Sequence, residues 1–209
     1  MKVSEIFYSL QGEGARAGEA SIFIRLQGCS AKHACFASGV RCDTEFESGA
    51  GISNEELLQR INRIAPSQAR WIIWTGGEPT DQLTEEDVQF FKKHEFKQAI
   101  ETSGIRVPPR GIDFVSLSPK FAEHVLAKTF MLPEREGIQN TYHVEELRYV
   151  RHVGQEIPKP SLTAVHYFLS PHFDGASINE ANLNHCIQLC LENPRWKLSV
   201  QTHKLLRVL

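Results

Sequence analysis

No stretch of this chain comes near the roughly 18 uninterrupted apolar residues that a membrane-crossing helix needs. The amino terminus, MKVSEIF, holds no apolar signal core and reads straight into a strand. Basic excess is also missing: 23 Lys and Arg stand against 25 Asp and Glu, a formal net charge of −2. A bulk basic surface for nucleic acid is thereby excluded. Glycine (14) and proline (10) sit near average abundance, which excludes collagen-like and disordered chains. Repeats, low-complexity tracts and Gly/Ser linkers are absent, so residues 1–209 read as a single domain. The 41% apolar content is enough for one sheet-based core. These absences together predict a soluble, cytoplasmic protein with neither membrane nor nucleic-acid partner.

Cysteine is scarce, and its number is odd. Five cannot build a disulfide scaffold, and they are unevenly placed. Cys29, Cys35 and Cys42 crowd one loop, spaced C-x5-C-x6-C, while Cys186 and Cys190 lie far off, four apart. In a reducing compartment a loop triplet is a candidate for a metal or cluster. Closed structural zinc wants four ligands, so a zinc reading must recruit His33 or Asp43. Three thiolates instead suit a 4Fe-4S cluster whose fourth iron stays open to an exogenous chelator. The bland alternative is three unrelated loop thiols, with His33 solvated. Cys186 and Cys190 share a predicted helix face with Leu183, Ile187 and Leu189, so they read as core packing.

What the sequence does have is a series of short apolar runs, each ending in small, polar or glycine-rich residues. The runs are Val3 to Tyr8, Ser21 to Leu26, Trp71 to Trp74, Gln98 to Ile100, Phe114 to Leu117, Ala164 to Leu169 and Lys197 to Val200. Helical patterns separate several of them. Ser53 with Glu56 and Thr84 with Asp87 have the spacing of capping boxes, and Asn179 opens a third helix stopped by Asn193-Pro194. Leu132 to His143 has no such pattern and reads as a surface excursion. Strands alternating with helices predict a mostly parallel α/β sheet with its ligand site at the carboxyl ends of the strands.

Thr75-Gly76-Gly77-Glu78-Pro79 follows an apolar run directly. Two glycines there admit a ligand close to the backbone, although the same residues also make an ordinary turn. The cysteine triplet followed by this segment resembles the radical S-adenosylmethionine superfamily. The resemblance narrows with Phe7 to Gly14 (FYSLQGEG), Cys42-Asp43-Thr44, Trp74 to Pro79 (WTGGEP), Glu101 to Gly104 (ETSG), Ser118-Pro119-Lys120 and Leu198 to Lys204 (LSVQTHK). In that order, from residue 7 to residue 204, they resemble the 7-carboxy-7-deazaguanine synthase family.

That resemblance implies an incomplete (β/α) barrel with a mostly parallel sheet, the reduced radical S-adenosylmethionine core. It implies a lyase that uses a 4Fe-4S cluster, S-adenosylmethionine and Mg²⁺. Its substrate would be 6-carboxy-5,6,7,8-tetrahydropterin, contracted to 7-carboxy-7-deazaguanine with loss of ammonia, a step of queuosine and 7-deazapurine biosynthesis. A reductant such as flavodoxin or ferredoxin and a homodimer are implied as well. Carried over by position, Cys29, Cys35 and Cys42 hold the cluster and Thr44 the Mg²⁺, whose preference is for hard oxygen ligands. Gly77, Ser118, Pro119 and Lys120 fall on cofactor-contacting positions. Leu10, Gln11, Gly12, Arg25 and Thr75 fall on substrate-contacting ones. Arg25 could clamp a carboxylate with two parallel hydrogen bonds; the plainer reading is a strand-end ion pair. His203 is either a hydrogen-bonded scaffold residue or a border of the substrate site.

The superfamily's usual C-x3-C-x2-C spacing is stretched here, which makes Cys35 the available middle ligand. Family chains often end in a proline near the substrate, where this sequence reads Val208-Leu209, so closure by the carboxyl terminus is not carried over. Two other classes compete. Glycyl-radical activating enzymes typically place His-Asn after the last cluster cysteine, where Asp43-Thr44 stands here, and they lack the LQGEG opening. A zinc-stapled interaction module is the non-enzyme alternative.

Overall fold

The structure, a computed structural model, describes residues 1–37, 42, 45–120, 123–130, 144–175 and 177–208. Nine strands are present among them: β1 (Lys2–Leu10), β2 (Ala20–Leu26), β3 (Ala50–Gly51), β4 (Trp71–Gly76), β5 (Lys97–Thr102), β6 (Phe114–Leu117), β7 (Glu146–Arg151), β8 (His166–Pro171) and β9 (Lys197–Leu198). Six α-helices accompany them: α1 (Lys32–Ala37), α2 (Asn54–Ile64), α3 (Glu85–Lys93), α4 (Glu123–Phe130), α5 (Glu180–Glu192) and α6 (Thr202–Leu206).

The strands form one sheet in the order β3-β1-β2-β4-β5-β6-β7-β8-β9. From β2 to β9 every pairing is parallel; β1 joins β2, and β3 joins β1, antiparallel. The sheet does not close on itself, so the fold is an incomplete (β/α) barrel. No helix among the described residues is long and apolar enough to cross a membrane.

Period-two alternation sorts the strand residues onto two faces. One face carries Ile22, Ile24, Ile72, Trp74, Ile100 and Val115, which pack with Leu57 and Ile61 of α2 and Val88 and Phe91 of α3. Farther along, Leu147, Tyr149, Tyr167 and Leu169 pack with Cys186 of α5 and with Phe130 and Trp196. Burial of each large side chain here stabilises by about 1.5–3 kcal/mol. The helices begin where their sequences specify: Ser53 caps α2 and Thr84 caps α3, each with a reciprocal capping box, and the Asn179 side chain caps α5. Cys186 is fully buried and Cys190 packs beside it, so both belong to the core.

The opposite, concave face holds a smaller apolar cluster of Phe7, Phe23, Ile73 and Ala99, with Phe7 and Phe23 stacked at 4.9 Å. Above it the face turns polar. The open side is bridged by the chain that leaves β1. Gly14 N donates to Ser199 Oγ (2.9 Å), Ala15 N to Glu146 Oε2 (2.8 Å), and the Gly12 carbonyl accepts from Thr202 N (3.0 Å). Residues 11–16 therefore strap the first strand to β7 and to the segment after β9.

Three differences from the sequence reading stand out. β7 follows no apolar run, because its concave face presents Glu146 and Arg148 while Leu147 and Tyr149 face the helices. The connections β5–β6 and β7–β8 contain no helix. The short helix α1, carrying Cys35, lies inside the cysteine loop. Residues 131–143, most of the expected surface excursion, lie outside the described residues.

Candidate active site

The parallel pairings put the polar residues in one row. Arg25 of β2 sits beside Thr75 of β4, Glu101 of β5 beside Ser116 of β6, and Ser116 beside Glu146 of β7. Arg25, Thr75, Glu101 and Ser116 lie on the concave face near the carboxyl ends of their strands, one place beyond the apolar cluster, and Glu146 continues the row from the first residue of β7. A cleft of about 280 Å³ opens there, lined in part by Leu10, Gln11, Gly12, Arg25, Thr75 and Glu101. All five positions that the resemblance assigned to substrate contact are thus brought together. His203 and Lys204 of α6, with Gln201, close the other side, and Phe7 and Phe23 line it too.

Gly12 is a glycine because His203 lies against it: a Cβ there would stand 2.0 Å from His203 Nδ1. His203 thus stands on the cleft wall beside the strap.

Hydrogen bonds and ion pairs fix the polar side chains of the cleft. Gln11 Nε2 donates to Glu101 Oε1 (2.9 Å) and Thr75 Oγ1 to Glu101 Oε2 (3.4 Å). Arg148 Nη2 stands 3.5 Å from both Glu101 Oε1 and Glu13 Oε2, and its Nη1 3.5 Å from Glu146 Oε1. Burial opposes the charge of Glu101, but Arg148 and the Gln11 and Thr75 donors outweigh it and hold the carboxyl below its usual range. The Arg148 guanidinium is likewise buried, yet its three carboxylate neighbours raise its pKa further. Arg25 pairs through Nε with Glu5, directly opposite on β1, at 3.1 Å. Its two Nη groups make no hydrogen bond among the described residues.

Beside the cleft lie the cysteines. Cys29 follows β2; Cys29 and Cys35 are half-buried and Cys42 is exposed. Burial pushes the Cys29 thiol up to about 11, with charge on Glu78, Cys35 and Cys42 adding to the shift. Cys35 is pushed up too, chiefly by burial, against the pull of Lys120. The three thiols and Lys120 therefore share one electrostatic neighbourhood. No three His, Cys, Asp or Glu side chains among the described residues stand in metal-holding geometry as they are. As a donor set, three thiols fall one ligand short of a closed structural zinc site and fit a 4Fe-4S cluster with one open iron. His33 is exposed and stands off as expected. Thr44 and Asp43 lie outside the described residues.

The glycine-rich turn docks under Cys29. Gly77 N donates to the Leu26 carbonyl (3.1 Å) and Glu78 N to the Gly28 carbonyl (2.9 Å). Glu78 is buried and serves as a hub: its carboxylate accepts from Thr80 N and Oγ1, Thr102 Oγ1, and Ser103 N and Oγ. It locks the turn after β4 to Thr102 and Ser103 at the carboxyl end of β5. Ser118 N donates to the Thr102 carbonyl (2.8 Å), and Lys120 Nζ to Ser118 Oγ (2.8 Å). Burial lowers the Lys120 ammonium pKa, while Cys35 opposes that shift. Gly77 and the Ser118-Pro119-Lys120 segment thus gather around the cysteines, beside the cleft.

Glu13, Glu101, Glu146 and Arg148 escape assignment from sequence. The signal was a charged residue at the end of an apolar strand for Glu101, and charges at alternate positions of one strand for Glu146 and Arg148.

An open β/α barrel with a cysteine loop, a glycine turn and a polar cleft all at the carboxyl ends of its strands defines an enzyme of the radical S-adenosylmethionine type. Comparison with known proteins makes this particular. No family model matches the chain. A 7-carboxy-7-deazaguanine synthase of Bacteroides thetaiotaomicron is 34% identical over 99% of this chain and 98% of that protein. One of Bordetella pertussis is 33% identical over 97% and 96%. The crystal structure of QueE from Escherichia coli superposes with a TM-score of 0.65 at 26% identity, covering 96% of this chain and 93% of that one. The chain belongs to the 7-carboxy-7-deazaguanine synthase family.

Proposed function

We propose that this chain converts 6-carboxy-5,6,7,8-tetrahydropterin to 7-carboxy-7-deazaguanine, with loss of ammonia, in queuosine or related 7-deazapurine biosynthesis. One observation carries the reading: the five substrate positions drawn from the family resemblance line a single cleft next to the cysteine loop.

Cys29, Cys35 and Cys42 would hold a 4Fe-4S cluster. Gly77 and Ser118-Pro119-Lys120 would contact S-adenosylmethionine, and the Thr44 hydroxyl would meet Mg²⁺. S-adenosylmethionine, when bound, would supply the hydrogen-abstracting chemistry. The chain's own residues bind and orient the substrate. Arg25 receives the pterin carboxylate on its Nη groups, which the Glu5 pair leaves available. Glu101, ionised and held by Gln11 and Thr75, accepts hydrogen bonds from ring and amino N–H donors. Phe7 and Phe23 offer apolar surface to the heterocycle, and His203 and Lys204 border it. The electron comes from a reductant such as flavodoxin or ferredoxin, and the enzyme works in the cytoplasm as a homodimer, as the family resemblance implies.

The test is anaerobic reconstitution with iron and sulfide, followed by turnover of the carboxytetrahydropterin with S-adenosylmethionine, a reductant and Mg²⁺. Formation of 7-carboxy-7-deazaguanine is expected; a colourless zinc-loaded protein with no turnover would remove the reading. Thr44→Val should weaken Mg²⁺ stimulation without altering the cluster spectrum.

A further inference from the structure

Arg148 does not line the cleft, yet it touches three carboxylates that belong to three different segments: Glu13 of the strap, Glu101 of β5 and Glu146 of β7. Its side chain is only 7% exposed. A buried ionic cluster of this kind is weak evidence for stability, because apolar side chains of similar volume often do as well or better. The arrangement makes more sense as geometry. Glu101 Oε1 is held by Gln11 and Arg148, and Oε2 by Thr75, so donors from three elements fix both oxygens at the cleft wall.

We propose that Arg148 is a positioning residue: it keeps the cleft carboxylate of Glu101 ionised and aimed, and ties it through Glu13 to the strap that bears Gln11 and Gly12. The proposal rests on the reading of the cleft as the pterin site. A lysine offers one point charge where the planar guanidinium reaches all three carboxylates, so it supplies the charge without the fork.

The charges that face this cluster come from every element around it. Glu13, Glu101 and Glu146 are its negative members. Arg16, the last residue of the strap, adds its charge near Glu146 and Glu101, and Lys120, in the segment after β6, lies near Arg148 and Glu13. Removing Arg148 takes its direct contact from Glu101 and leaves Glu101 with two other carboxylates, and with Arg16, Lys120 and the cleft's own Arg25, His203 and Lys204 as the remaining basic groups. Its carboxyl then gains a proton more readily, and the protonated form accepts fewer hydrogen bonds.

The test measures binding of 6-carboxypterin, a stable aromatic analogue, to the reconstituted protein with S-adenosylmethionine, from about pH 5.5 to about pH 7.5. The wild type sets the baseline, which carries whatever pH dependence the other groups of the cleft, His203 among them, impose. R148Q should lose at least a further tenfold in affinity, beyond that baseline, at the acid end relative to the neutral end. R148K should be weaker than wild type but follow the wild-type pH profile, since it restores charge and not the fork. E101Q should be weak at every pH. R148Q with wild-type affinity, or with the same loss at every pH, would overturn the proposal while E101Q remains weak. If E101Q binds like wild type, the reading of the cleft falls first and the proposal with it. Should R148Q not fold, R148Q/E146Q removes a buried carboxylate along with the cation and is read by the same criteria.

Discussion

Gly77 lies flat against the chain reversal that carries Cys29: a Cβ on it would stand 1.8 Å from the Gly28 carbonyl oxygen and 3.0 Å from Cys29 Cβ. The glycine signature of the cofactor segment is therefore also a packing requirement of the cluster loop. The obstacle is backbone and cannot swing aside, so the turn itself must move. Gly77→Ala should cost about 2–4 kcal/mol, the range of a severe steric defect. It should also lower the amount of cluster held after reconstitution. Thermal unfolding and the visible spectrum check both; a variant with native stability and full cluster content would contradict the packing argument.

The cysteines divide into two groups by surroundings. Cys29 faces the charge of Cys35 and Cys42, and Cys35 that of Cys42 and Lys120, whereas Cys186 is buried among Leu147, Tyr149, Leu169 and Trp196. Each of Cys29→Ala, Cys35→Ala and Cys42→Ala should abolish the broad visible absorption of the reconstituted cluster. Cys186→Ala should keep it and lose on the order of 1 kcal/mol or more of stability through a small cavity. Full cluster content in Cys35→Ala would move the middle ligand elsewhere.

These two groups also mark how far the sequence could be read. Spacing and surroundings separated the loop thiols from the helix thiols, and the caps Ser53, Thr84 and Asn179 announced three helix starts, because both depend on neighbours in the chain. β7 was not legible. Beyond their own 3.5 Å pair, its buried Glu146 and Arg148 find their partners far off in sequence, Ala15 and Ser116 for one and Glu13 and Glu101 for the other. Gln11 and Thr75 could be placed at strand ends from pattern and resemblance. That both donate to Glu101 follows from strand order, which apolar periodicity does not encode.

Glu101 ties this cluster to acid stability. Its carboxyl lies below the ordinary value of 4.5 in the folded protein, with Arg148 as the largest favourable influence against burial. A group whose folded pKa is depressed stabilises the fold fully above its unfolded pKa, and that contribution is lost as pH falls through the folded value. Denaturant melts should therefore show wild-type stability falling as pH drops from 4.5 downward. Glu101→Gln, which cannot ionise, should be less stable at neutral pH and should fall less steeply in that acid range. Parallel curves for the two proteins would mean that the carboxylate gains nothing from Arg148 on folding.

Arg25 and Glu5 offer the sharpest separation of structure from substrate recognition. Their pair joins the inner edge of β2 to β1 at 3.1 Å, with the Glu5 side chain 46% exposed. An ion pair so open to solvent contributes about 0–1 kcal/mol to stability. If that were the whole role of Arg25, Arg25→Lys and Glu5→Gln would resemble each other, with small stability losses and unchanged kinetics. The neighbouring Thr75 and the cleft wall argue for more. A pterin carboxylate gripped by two parallel N–H groups loses that grip with lysine. Arg25→Lys should lower kcat/KM for the carboxytetrahydropterin by an amount on the order of 1.5–3 kcal/mol, the worth of a charged hydrogen bond. Glu5→Gln should leave kcat/KM near wild type, because it frees the guanidinium without removing it. Cleavage of S-adenosylmethionine uncoupled from turnover should persist in both, since Cys29, Cys35, Cys42 and Gly77 are untouched. Equal kinetics for Arg25→Lys and wild type would take Arg25 out of the substrate site, and loss of uncoupled cleavage in Arg25→Lys would place it against the cofactor instead.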